Sequence, residues 1–326
     1  MQVLNVCKLT ILIIIAAVII AVVLTALTKN YHLVEEDRGF AGAEAFAWQP
    51  PDTSTIPFTP DGMLIRYGRD LIVNTSIYLG PHGKVAAITN GMNCQNCHLN
   101  AGTKTWGNNF SAVFSTYPRF RERSGTVENI YKRINDCIDR SLNGTVIDSS
   151  TKEMQAMAAY INWVGEKVPK KIKPKGSGIR EIALLDRSAD PIRGEAVFVQ
   201  KCQRCHGNDG QGRLNADSLL YQYPPLWGNN SYNMGAGLYR LSRFAGYVRD
   251  NMPFDAPLNS DPLTDEEAWD VAAFVNSQPR PNKNYSKDYP SLAGKPFDHP
   301  FGPYQDKFSE FQHRYGPFTP IRSAMK

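Results

Sequence analysis

Apolar residues in this chain fall into two patterns. From Leu9 to Leu27 every position is apolar except Thr10 and Thr25, with Lys8 before the run and Lys29 after it. At 1.5 Å per residue the run nearly matches the roughly 30 Å apolar thickness of a bilayer, which predicts a transmembrane helix or a long signal segment. Thr25-Ala26-Leu27 makes a poor cleavage site, so residues 1–30 are expected to be an uncleaved anchor, with cleavage to a soluble form as the alternative. Residues 31–60, rich in Pro, Ala and acidic side chains, read as a tether. Further on, the period changes to that of amphipathic helices. Asp61 to Thr75 places Met63, Leu64, Tyr67, Leu71 and Ile72 on one face, and Arg193 to Cys202 has the same character. Thr126 to Leu142 opens on a Thr with Glu128 nearby, and Thr151 to Val164 and Thr264 to Asn276 begin Thr-x-x-Met and Thr-x-x-Glu, so three more helices are expected.

These helices belong to a repeat. Trp106-Gly107-Asn108-Asn109 returns as Trp227-Gly228-Asn229-Asn230, and Ala158-Ala159-Tyr160-Ile161-Asn162 returns as Ala272-Ala273-Phe274-Val275-Asn276. The duplication predicts two tandem helical domains, 61–175 and 176–284, joined through the Pro, Gly and Lys of residues 167–178 as a solvated linker. Residues 285–326 lack periodicity and are expected to wrap the domains as an extended tail, with His299 and His313 on its surface.

Each half carries Cys-x-x-Cys-His: Cys94, Cys97 and His98 in the first, Cys202, Cys205 and His206 in the second. This spacing suits covalent haem c, in which two thiols bond the porphyrin and the adjacent imidazole binds iron. A zinc site built from two such knuckles would use four thiolates and no histidine. The fold class expected is therefore mainly α, two tandem class I cytochrome c-like domains with one haem each. Haem of this kind is attached outside the cytoplasm, which places these domains in the periplasm, anchored to the inner membrane. Of six cysteines only Cys7 and Cys137 remain, on opposite sides of the apolar run, so no disulfide framework is expected. The formal charge of +5 is mild and does not call for nucleic acid, although a local basic cluster would attract a small anion.

The sixth iron ligand decides what each haem does. Met234 and Met252 both follow His206, and Met252 is preferred because Asn251-Met252-Pro253 sets a thioether on a proline-fixed loop. A His/Met iron has a raised potential and suits electron transfer. The first half has no methionine there. Cys137 follows His98 by 39 residues where Met252 follows His206 by 46, so the repeat puts a thiolate in the ligand position, able to act as nucleophile too. A buried free cysteine is the plainer alternative, and His82, Met154 and Met157 compete as ligands.

Three segments, Asn93 to Leu99, Tyr117-Pro-Arg-Phe-Arg-Glu-Arg-Ser-Gly125 and Arg133-Ile-Asn-Asp-Cys137-Ile-Asp-Arg-Ser141-Leu-Asn-Gly144, followed by the second haem motif, resemble the thiosulfate dehydrogenase family of dihaem cytochromes c from about residue 60 to 280. The resemblance implies interconversion of two thiosulfates with tetrathionate at a His/Cys-ligated haem, with Cys137 as catalytic ligand and Arg123, Arg133 and Ser141 around the substrate. It also implies a redox partner such as a cytochrome c or a quinol-linked donor. Some members carry Lys before the distal Met of the second haem, where this chain has Asn251.

Thiosulfate is a dianion, and joining two of them gathers four negative charges. Guanidinium groups meet sulfonate oxygens with paired hydrogen bonds better than ammonium groups do. Arg133, Cys137 and Ser141 are spaced by four and would share a helix face, with Arg140 adjoining. The rival reading is a membrane-tethered dihaem electron carrier without sulfur chemistry; a dihaem peroxidase finds no distinct support.

Overall fold

The computed structural model describes residues 15–21, 46–216, 220–254 and 262–325. Most of the apolar run 9–27 lies outside these; residues 15–21 form an exposed helical segment, and among the described residues no helix is long and apolar enough to cross a membrane. The rest belongs to one compact unit, Ala45–Lys326.

Six helices organise that unit: α1 (Pro60–Val73), α2 (Ile130–Arg140), α3 (Lys152–Gly165), α4 (Pro191–Lys201), α5 (Leu241–Asn251) and α6 (Asp265–Ser277). Their starts follow local chemistry. The Thr59 hydroxyl accepts from Gly62 N with Pro60 in the first turn, Asp190 accepts from Ile192 N and Arg193 N ahead of Pro191, and Thr264 with Glu267 closes a capping box on α6, each satisfying amides that have no partner within the helix. One expected helix start moves. Residues 126–128 form strand β2, paired antiparallel with β1 (Arg119–Arg121), and α2 begins only after Asn129, whose side chain accepts from Lys132 N. Glu128 is 2% exposed and faces Lys132 at 3.2 Å, so Thr126 is a ladder residue and not a cap.

The repeat is visible at one helix crossing. In the first half α1 packs on α3, and Gly68 lies so close that a Cβ would fall 1.9 Å from Ala156 O and 2.9 Å from Tyr160 Cβ. In the second half α4 packs on α6, and Gly194 meets Asp270 O and Phe274 Cβ at the same 1.9 and 2.9 Å. Both glycines serve close backbone approach. Two apolar cores form around these crossings. The first holds Leu71, Ile72, Met154, Met157, Tyr160 and Ile161; the second holds Phe198, Trp227, Phe244, Trp269 and Val271 and is joined by Met92, Leu99 and Leu142 from the first half.

Two segments expected to be solvated are packed instead. In the 167–178 linker, Gly176 O accepts from Trp106 N and from the Asn109 amide, Gly178 O accepts from Asn108 N, and Ser177 shares a hydrogen bond with Ser111. Trp106 and Asn108 have positive φ and turn their N–H groups outward to these carbonyls, which explains why the linker is held. In the tail, Phe318 and Ile321 enter the second core. His313, expected on the surface, is 2% exposed. Its two ring nitrogens bond Phe297 O and Asp306, and its ring stacks on Tyr304 at 3.7 Å. Asp298 is buried against Arg240 and Ser242. Even the described end of the tether docks, since the Trp48 indole donates to Val164 O at 3.2 Å.

Gly194→Ala should destabilise by several kcal/mol, because the added methyl overlaps a backbone carbonyl and the helices must part; thermal unfolding checks this, and an unchanged Tm would refute the packing argument. Burial raises the Asp298 carboxyl, but Arg240 and the Ser242 bonds outweigh it and hold the pKa below its usual value. The stability from this clamp is thus full above about pH 4, the unfolded value, and is lost as pH falls through the lower folded value. Asp298→Asn should flatten that acid limb in unfolding measured against pH.

Candidate haem sites and catalytic centre

The end of α1 and the short helix after it build the first Cys-x-x-Cys-His loop. Asn93 Oδ1 accepts from the Ser76 amide and hydroxyl at 2.8 and 2.9 Å, Cys94 N donates to the Thr75 hydroxyl, and Gln95 donates to Val73 O. His98 Nδ1–H donates to Asn108 O, and His206 Nδ1–H donates to Pro224 O at 2.8 Å. Each bond fixes the tautomer that leaves Nε2 for iron. Burial pulls His98 down to about 4, helped by nearby Arg133, so the ring is neutral as a ligand must be.

The second motif lines a cavity of about 360 Å³, walled by Cys202, Cys205, His206, Val271, Val275 and Met252. A mostly apolar slot with two thiols, an imidazole and a thioether fits a covalent haem. Met252 lies on this wall directly after α5. Met234 is not on the wall; its amide donates to Pro281 O and its side chain packs against the second core. Asn251 is also absent from the wall. It is 3% exposed, and its amide donates to Tyr247 O at 2.9 Å and to Trp106 O at 3.2 Å in the first half, so it ties the halves together beside Met252.

Around the first motif the placement of Cys137 is informative. It sits in the last turns of α2, in electrostatic range of Cys94 and Cys97; burial pushes their thiols up to about 11 and about 12, and the Cys137 sulfur adds to both. Arg133, one turn earlier, is raised chiefly by Cys137. Arg133 and Cys137 therefore lie within electrostatic range of Cys94, Cys97 and His98. Ser141 follows as the helix cap, its amide donating to Cys137 O. The competing ligands lie elsewhere: Met154 and Met157 are fully buried in the first core and His82 is exposed.

Arg123 and Arg140 are engaged by other partners. Arg140 makes a bidentate pair with Asp288 at 2.7 and 2.8 Å and lies over Tyr285. Arg123 donates to Gly235 O at 2.9 Å, lies over Tyr289 and stands 3.9 Å from Asp288. Both hold the junction between the halves and the tail. Sequence reasoning did not single out Tyr247, whose hydroxyl donates to Asn96 O inside the first haem loop while its ring lines the second cavity. Cys97 reaches that cavity too, so the two haem sites adjoin. The only signal for Tyr247 was its place on the helix leading to Met252.

The family model described as the SoxA/TsdA cytochrome c domain matches residues 84–169, and that of cytochrome c matches 192–279. Thiosulfate dehydrogenase of Allochromatium vinosum is 38% identical over 251 residues, 74% of this chain and 89% of that protein. The Psychrobacter arcticus enzyme of the same name is 35% identical over 244 residues, 74% and 71% of the two chains. The chain belongs to the thiosulfate dehydrogenase family. The solved as-isolated thiosulfate dehydrogenase TsdBA of Marichromatium purpuratum superposes with a TM-score of 0.66 at 32% identity, covering 73% of this chain. This chain spans half the length of that one. With two cytochrome c domains the chain is a dihaem oxidoreductase carrying two covalently bound haem c groups.

Met252→Ala should leave both haems attached and lower the midpoint potential of one, because thioether ligation raises it. Spectroelectrochemical titration checks this; two unmoved potentials would exclude Met252 as a ligand.

Proposed function

We propose that the chain interconverts two thiosulfates and tetrathionate with release or uptake of two electrons, at a first haem ligated by His98 and Cys137. The observation that carries this is the placement of Cys137 beside the first haem loop with Arg133 one turn away. The second haem, on Cys202, Cys205, His206 and Met252, is the port to a redox partner such as a cytochrome c or a quinol-linked donor.

The Cys137 thiolate bonds the sulfane sulfur of thiosulfate, giving a cysteine S-thiosulfonate and two electrons. A second thiosulfate attacks that sulfane sulfur, the bond to Cys137 breaks, tetrathionate leaves and the thiolate is restored. Haems held by Cys94, Cys97 and His98 and by Cys202, Cys205 and His206 would supply two one-electron acceptors for the pair released. Arg133 offsets the dianion charge, and the Ser141 hydroxyl orients a sulfonate oxygen. Arg123 contributes its field from the junction. In the reverse direction tetrathionate is cleaved by the same bonds, and the haem potentials and partner set the direction. The apolar run 9–27 and the extracytoplasmic attachment of haem c support a periplasmic protein held at the inner membrane.

A plain electron carrier needs neither Cys137 nor its arginine, so thiosulfate and tetrathionate discriminate. In stopped-flow spectroscopy thiosulfate should reduce the oxidised haems, or tetrathionate oxidise the reduced ones. Cys137→Gly should abolish both reactions while a small redox dye still exchanges electrons with two attached haems. Retained sulfur chemistry in that variant would overturn the mechanism.

A further inference from the structure

Among the described residues Arg140, Arg180, Arg187, Arg240 and Arg249 each hold a carboxylate in direct contact. Arg121 and Arg133 are among those that do not. Among the described residues neither guanidinium has a carboxylate within ion-pair distance, although both are partly buried. They lie in one another's field with Tyr117 close to both. The Tyr117 hydroxyl is buried and makes no hydrogen bond. Glu128 is the carboxylate that acts on Arg121, and Asp136 and then Glu128 act on Arg133; Lys132 pairs with both, at 3.2 Å to Glu128 and 3.3 Å to Asp136, so positive charge is left in excess.

Such a group is costly as it stands. A phenol hydroxyl without a partner and the Arg121 guanidinium without a carboxylate each lose solvation that nothing in the chain returns. An oxyanion arriving between them and Arg133 would satisfy both. The backbone holds the arrangement: β1 pairs with β2 with Arg121 opposite Thr126, and alternation along the strand turns Arg119 and Arg121 to one side and Phe120 to the other. Arg133 then presents the set to Cys137 from α2.

We propose that Tyr117 and Arg121, together with Arg133, bind the sulfonate oxygens of thiosulfate beside Cys137, so that Arg121 rather than Arg123 is the second guanidinium of the pocket. This rests on the thiosulfate reading above and sharpens its binding site. A planar guanidinium matches two sulfonate oxygens and the phenol donates to a third, while Arg123 spends its hydrogen bond on Gly235 O at the tail junction. Burial also pulls the Arg121 guanidinium below its usual value, in keeping with a cation that lacks its counter-charge.

The test is steady-state kinetics with thiosulfate on the full chain with both haems, for Arg121→Gln, Arg121→Lys and Tyr117→Phe, with haem content and midpoint potentials measured on each. Losing a charge-assisted bond should raise KM at least about tenfold in Arg121→Gln and about threefold in Tyr117→Phe, with part of the affinity returning in Arg121→Lys. Both potentials should stay put. A KM within about twofold of the parent in Arg121→Gln would overturn the proposal. So would a shifted first-haem potential with KM unchanged, which would assign the group to a haem propionate. A parent chain inert toward thiosulfate would instead sink the substrate reading itself, which separates the two failures.

Discussion

Cys137 and Arg133 share one turn of α2 beside the first haem loop, and the proposed sulfur chemistry depends on that juxtaposition. A thiolate near iron is an electron-rich nucleophile, and without a cation beside it a dianionic partner would be repelled. Arg133 supplies that cation from a position fixed by helix geometry. The rest of the first half holds α2 in place: Asn129 caps its start, Asn135 bonds both the amide and the carbonyl of Ile147 after its end, and Ile134 and Ile138 face the core.

The second haem site depends on the first for part of its wall. Cys97 and Asn96 line the cavity that holds the second Cys-x-x-Cys-His motif. Tyr247 bridges to Asn96 O, Asn251 to Trp106 O, and Asn233 N donates to Arg140 O across the halves. A two-electron sulfur reaction served by one-electron centres needs both within short reach. These bonds hold the two sites together, and the tail adds to this by placing Asp288 against Arg140.

The haem loops, the repeat and most helix limits were legible in the sequence because their causes are local: motif spacing, Thr and Asp caps, and a 3.6-residue period. The proline after Met252 favoured it over Met234 as the expected ligand, and of the two only Met252 lines the second cavity. The start of α2 was misplaced because Thr126 looks like a cap until the strand ending five residues earlier, at Arg121, pairs with it, and pairing is a tertiary fact. His313 and the 167–178 linker were read as solvated for the same reason: their polar composition suits water, and only the fold brings Asp306, Phe297 O and the outward amides of Trp106 and Asn108 to satisfy them. Likewise Arg123 and Arg121 look alike in the sequence. Which one is free for an anion is decided by Gly235 and Tyr289, more than a hundred residues away.

The central claim is that the Cys137 sulfur is an iron ligand, and low-temperature electron paramagnetic resonance of the oxidised, unmutated chain tests it most directly. The account predicts two distinct low-spin ferric signals, one with the narrow anisotropy of His/thiolate ligation and one of His/Met type. A high-spin first haem, or two signals of His/Met type, would contradict it.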